Sequence, residues 1–193
     1  LVNDPYAGGT HLPDFGMASP VFFQSQLIGY VATMTHHQDI GGAAPGSAST
    51  DVYDHHSEGI RIPLLKLASA GKLDTDIIEL LVANSRSPHN LRGDLYAQIA
   101  GCRTGEQSMA KIFGDIGVET TARGIDALLD YGERLTRLAI SNIPNGEYEF
   151  SDWLDNEGLA NDSDPVKINV SLTVSGSDVK FDFTGTDPQV RAA

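Results

Sequence analysis

Residues 1–65 are crowded with glycine, proline, histidine and aspartate and show little helical periodicity, whereas the chain that follows is first helical and then strand-like. This order of blocks is the strongest constraint on the fold. A parallel sheet needs strands and crossover helices in alternation, so a β-rich block, a helical block and a second β-rich block predict an α+β architecture. The blocks run from 1 to 65, 66 to 142 and 143 to 193, and we read them as one fragment of a larger domain. The chain opens inside the motif-dense LVNDPYAGGTHLPD and closes on DFTGTDPQVRAA. We therefore expect it to be an internal segment of a longer polypeptide.

Within the first block, Val21 to Phe23 and Leu27 to Thr35 read as strands joined by the polar Gln24-Ser25-Gln26. Leu73 to Ala83 has apolar residues at helical spacing, with Asp74 or Thr75 placed to cap its start. Arg92 to Phe113 predicts a long helix, with Gly105 as a break, and Glu119 to Ile140 a further one with Ile125, Leu128, Leu129, Leu135 and Leu138 as its stripe. After the Pro144-Asn145-Gly146 turn come short strands at Tyr148 to Trp153, Val166 to Val174 and Val179 to Phe183. Ser175 to Asp178 links the last two as a hairpin.

Charge and composition then exclude several functions. The 193 residues hold 26 Asp+Glu against 13 Lys+Arg, a net charge of −13, which repels nucleic-acid phosphates and anionic membrane surfaces alike. No apolar run approaches the ~20 residues needed to cross a bilayer. A single cysteine, Cys102, forms no internal disulfide, and it falls on the apolar stripe of a predicted helix where an inert buried thiol is expected. A cytoplasmic protein is the expectation.

Five of the six histidines lie within the first 56 residues, among Asp4, Asp14, Asp39, Asp51, Asp54 and Glu58. Such a set in glycine-rich loops suits a divalent metal of the zinc, manganese or iron kind, and equally suits polar loop residues with one or two histidines hydrogen-bonded in the core. The local arrangements are His11-Leu-Pro-Asp14, His36-His37-Gln38-Asp39 and Asp54-His55-His56-Ser57-Glu58. If the strand from Leu27 runs straight on, His37 and Asp39 share one face; a bend into Gly41-Gly42 would bring His36 and Asp39 together.

Other chemistries find less support. Gly8-Gly9-Thr10 and Gly41-Gly42 through Ser47 match no phosphate-binding loop, lacking both lysine and a strand-to-helix context. Ser47 and Ser49 stand near histidines without a GxSxG elbow. Asp94 and Gln98, four apart on a helix, read as a structural brace. The acidic run from Asp152 to Asp164 lacks the ligand spacing of an EF-hand.

Taken in order, NDPYAGGTHLPD, HHQDIGG followed by PGS, SEGIRIP, NSRSP followed by RGDLYAQIA, and DFTGT resemble the hydantoinase B/oxoprolinase family. The resemblance covers the whole chain but only the central portion of family members. It implies a subunit working in an oligomeric complex with a hydantoinase A-type partner that binds ATP and Mg. The substrate would be a small cyclic amide opened by hydrolysis or, in the carboxylase branch, a ketone. It also implies a divalent metal, with His36 and Asp39 at the matching positions and a further ligand from elsewhere, His56 and His11 being the candidates. Asp14 and Glu58 are then the carboxylates to move a proton, with Asp4 a further supporting position. Such a metal would polarise a carbonyl or enolate oxygen. An isolated fragment is expected to be inactive. The competing view is a non-catalytic scaffold that docks its partners through an acidic, glycine-rich surface.

Overall fold

The computed structural model describes residues 1–47, 52–156 and 164–190. Ser49, Asp51 and most of the acidic run before Asp164 lie outside the described residues. The chain is mixed α+β and resolves into two compact units, Leu1–Val118 and Glu119–Ala192. The division falls inside the helical block, between its second and third helices.

In the first unit, β1 (Asp14–Phe23) and β2 (Gln26–His36) form an antiparallel hairpin. Gln24 and Ser25 both adopt positive φ, 49° and 65°, which closes the hairpin with a two-residue turn, so Gln26 already belongs to the strand. β1 starts well before Val21. Its inward positions Phe15, Met17 and Val21 are buried, but Gly16, Ala18 and Pro20 alternate with them and dilute the pattern that marks a strand in sequence. A minimal hairpin of β3 (Ala68–Ser69) and β4 (Lys72–Leu73) follows, too short to leave a periodic signal.

Helix α1 (Thr75–Ala83) is capped by Asp74, whose carboxylate accepts from the amides of Asp76 and Ile77. Helix α2 (Pro88–Ile116) begins a turn earlier than Arg92 because Pro88 occupies the first turn, where its fixed φ favours helix and its missing N–H is not needed. It passes through Gly105 without a break. A Cβ on Gly105 would lie 2.5 Å from Val31 Cγ1, and one on Gly101 would lie 3.4 Å from Thr33 Cγ2. These glycines let α2 sit close on β2. The core gathers Leu12, Phe15, Ile40, Ile62, Ile78, Leu81, Leu95 and Ile99, with Cys102 buried among them.

In the second unit, α3 (Val118–Ser141) precedes a three-stranded antiparallel sheet in the order β5 (Gly146–Leu154), β6 (Val166–Ser175), β7 (Asp178–Asp182). The DFTGT motif proves to be a structural clasp. Thr186 Oγ1 exchanges hydrogen bonds with both the amide and the carbonyl of Asn169 on β6, and Asn169 Nδ2 donates to the Thr184 carbonyl. No described helix is long and apolar enough to cross a membrane.

Candidate active site

Hairpin register creates the first element of the site. Asp14 opens β1 and His36 closes β2, and the two are directly paired across the strands, so their side chains emerge on one face. His36 Nδ1 and Asp14 Oδ1 are 2.7 Å apart. His11 sits in the tight turn leading into β1, where its carbonyl accepts from the Asp14 amide, and its ring stacks on His36 with centroids 5.6 Å apart. Glu58, just past the short 3-10 turn of His55–Ser57, brings Oε2 to 3.5 Å from His11 Nδ1. Three stretches distant in sequence thus place two imidazoles and two carboxylates side by side. The His11 and His36 rings remain open to solvent, while the two carboxylates are largely covered.

The backbone under this group is pinned by a buried asparagine. Asn3 Nδ2 donates to the carbonyls of Leu12 and Ile60, and its Oδ1 accepts from the Ile62 amide. Every polar atom of that amide group is engaged, and the residues flanking His11 and Glu58 are held in register. Gly42 adds to this: a Cβ there would lie 2.4 Å from the Ser57 carbonyl oxygen, so the glycine loop can rest directly on the segment carrying Glu58.

Asp39 is placed otherwise. The chain bends after His36, but the Asp39 carboxylate turns into the protein and pairs with Arg86. Oδ1 accepts from the amides of Gly41 and Arg86 at 3.0 and 2.9 Å; Oδ2 accepts from the Gly46 amide and from Arg86 Nη1 at 2.9 and 3.1 Å. The same guanidinium donates to the carbonyls of Gly41, Gly42 and Ala44. Arg86 and Asp39 together therefore set the shape of the Gly41–Ser47 loop. Ser47, which accepts from the Ile40 amide and donates to the Gly41 carbonyl, is part of that fabric.

Burial works against ionisation of Asp39, yet the three amides and the guanidinium outweigh it and hold the carboxyl at about 2, below its usual 3.8. A depressed folded-state pKa means that the stabilisation is complete above the unfolded value and disappears as pH falls towards 2. We expect about 2 kcal/mol of stability to be lost between pH 4 and pH 2 through this residue. Urea unfolding across that range checks it, because the Asp39→Asn variant should lack that component of the acid loss.

The remaining candidates separate from this group. His56 packs against His55, with ring centroids 4.1 Å apart, and His55 Nε2 accepts from Arg61 Nη1 at 3.0 Å. Asp4 caps the Pro5–Ala7 turn and lies 3.6 Å from Arg61 Nε. His37 is fully buried against Phe15, so it faces the core rather than the site. Burial lowers its pKa, with Gln98 and Asp94 opposing that shift. Arg86 and Asn3 do not stand out in the sequence. The one signal for Arg86 is its place in N-S-R-S-P, and Asn3 carries none beyond N-D-P.

As for a metal, among the described residues no three His, Cys, Asp or Glu side chains already converge as a ligand set. Asp39 fits poorly, since four donors occupy its carboxylate oxygens. The neighbours His11, Asp14 and His36 supply two imidazole nitrogens and a carboxylate, a donor chemistry suited to zinc, manganese or iron.

The chain thus carries a grouping of histidines and carboxylates on a hairpin end, backed by a glycine loop locked by an Asp–Arg pair. It is a member of the hydantoinase B/oxoprolinase family, whose family model matches residues 1–193. A relative from Pseudomonas sp. (strain NS671), named for a D-/L-hydantoinase, is 39% identical over 193 residues, covering 97% of this chain and 32% of the relative. The crystal structure of ATP-dependent caprolactamase from Pseudomonas jessenii superposes with a TM-score of 0.89 at 29% identity, covering 99% of this chain and 32% of that one. Nucleotide-free acetone carboxylase shares the fold, with a TM-score of 0.91 at 21% identity over 99% of this chain and 27% of the other. The chain spans 32% of the length of that hydantoinase relative and 15–17% of the 5-oxoprolinases it matches.

Proposed function

We propose that this chain is the portion of a hydantoinase B-type subunit that bears the proton-transferring and metal-holding side chains for hydrolytic opening of a cyclic amide. The observation that supports it is the gathering of His11, Asp14, His36 and Glu58 from three separate segments. In this reading His11, Asp14 and His36 hold a divalent metal, with a further ligand from elsewhere in the polypeptide. That ion would supply polarisation of the amide carbonyl and a more acidic water.

The rest of the chemistry falls to the side chains. Glu58, largely covered beside His11, accepts the proton of the attacking water and returns it to the amide nitrogen as the ring opens. The glycine loop held by Asp39 and Arg86 keeps Glu58 in place. ATP and Mg belong to a hydantoinase A-type partner in an oligomeric, cytoplasmic complex, where the substrate is activated. Ketone carboxylation is the neighbouring reading, and its support is likeness of fold to acetone carboxylase. Hydrolysis is preferred because the more similar relatives are named for hydantoinase and caprolactamase.

The test is elemental analysis of the full-length complex with its partner, together with turnover of hydantoin and lactam substrates. One stoichiometric divalent ion should be present and should vanish in His36→Ala and Asp14→Ala along with ATP-dependent ring opening. Unchanged metal content in both variants, or turnover that survives chelation, overturns the reading.

A further inference from the structure

We propose that Gln98, on α2, is a positioning residue that holds Asp14 and His36 opposite each other; the proposal rests on the reading that this pair belongs to the site. Gln98 touches neither residue. It is buried, and both ends of its amide are committed to the neighbours of the pair. Nε2 donates to the Phe15 carbonyl at 2.8 Å, one residue after Asp14, and Oε1 lies 3.2 Å from His37 Nε2, one residue after His36.

These two bonds fix each other's direction. A carbonyl can only accept, so the NH2 of Gln98 must face Phe15, and its oxygen must then receive a proton from His37 Nε2. His37 is fully buried with its ring on Phe15, centroids 4.4 Å apart, and its main-chain N–H donates to the Pro13 carbonyl at 2.9 Å. The other ring nitrogen, Nδ1, has no hydrogen-bond partner and lies 3.8 Å from Asp94 Oδ2. Gln98 is thus the one hydrogen-bond partner of that ring among the described residues.

The position matters because the Asp14–His36 pair sits at the open end of the hairpin, opposite the Gln24-Ser25 turn, where the ladder ends at the bond from the His37 amide to the Pro13 carbonyl. Residues on both sides of Asp14 are linked to His37: Pro13 directly, Phe15 through Gln98. Without Gln98, the buried His37 Nε2–H has no acceptor and the Phe15 carbonyl loses its tie to α2, and the segment around the pair can relieve this only by moving. Movement of either strand end changes the spacing between the Asp14 carboxylate and the His36 ring.

The experiment measures Mn2+ affinity of the full-length subunit by the electron paramagnetic resonance signal of the free ion, beside thermal unfolding. Gln98→Leu, which keeps the bulk and removes both bonds, is expected to weaken Mn2+ binding about 10- to 100-fold. Val82→Ala, a core substitution on α1 chosen to lower the unfolding temperature, should leave affinity unchanged. If Gln98→Leu does not fold, Gln98→Glu keeps an acceptor for His37 but sets a carboxylate oxygen against the Phe15 carbonyl, and should weaken binding at least about five-fold. Affinity within two-fold of wild type in the variant measured, or a loss matched by Val82→Ala, overturns the positioning role. His36→Ala in parallel separates the two levels. If it keeps the metal, the site reading fails and this proposal with it; if it loses the metal while Gln98→Leu binds normally, only the role of Gln98 falls.

Discussion

Replacing Asp39 with alanine is expected to destabilise the full-length subunit by about 3 kcal/mol, equally in the presence of metal and of chelator. The substitution strands the partly buried amides of Gly41, Gly46 and Arg86, each of which then lacks an acceptor. A buried amide left unpaired costs at least about 1 kcal/mol, which sets the size of the effect. Arg86→Ala should be milder, about 1 to 2 kcal/mol, because Asp39 keeps three amide donors and the guanidinium it loses is already partly in water. The urea midpoint of each variant, with and without chelator, gives the comparison. A loss confined to the metal-loaded protein would show that Asp39 stabilises the subunit by ligating the ion, as the resemblance to the family implies. The expected result is that it stabilises the glycine loop.

Asp39 also shows where sequence reasoning reaches its limit. The α+β order, the helix capped by Asp74 and the hairpin at Ser175 to Asp178 were legible because periodicity and turn chemistry are local signals. The crowding of histidine and carboxylate in the first block was legible as composition. Which of them meet was not, because that depends on hairpin register: Asp14 faces His36 only because β1 begins seven residues before Val21, where Gly16, Ala18 and Pro20 hide the strand. Asp39 and His36, three apart in sequence, are parted by the bend after β2 and by Arg86, forty-seven residues on from Asp39. The i, i+4 spacing of Asp94 and Gln98 did suggest a brace, and its partners became visible only when α2 was laid across the hairpin. Long-range partners of buried polar groups leave no periodic trace, which is why Asn3 and Arg86 escaped notice.

Glu58→Gln is expected to lower turnover of the full complex by about 10²- to 10⁴-fold while leaving metal content and unfolding temperature close to wild type. The substitution is nearly isosteric, and the main chain at this position is fixed by Asn3, Gly42 and the Asp54-capped turn rather than by the carboxylate itself. What is lost is the ability to accept a proton. Its place beside His11 puts Glu58 at the rim of the histidine group, where a base can reach a water. Asp14, with an oxygen 2.7 Å from His36, is within that group, and Asp14→Asn should therefore lose metal along with activity. The two carboxylates are distinguished by measuring both quantities on both variants. Metal retained and activity lost in Glu58→Gln, against both lost in Asp14→Asn, is the pattern of a base beside a ligand. Metal lost in Glu58→Gln as well would make Glu58 the ligand that completes the set, and the proton would then have to leave by another group.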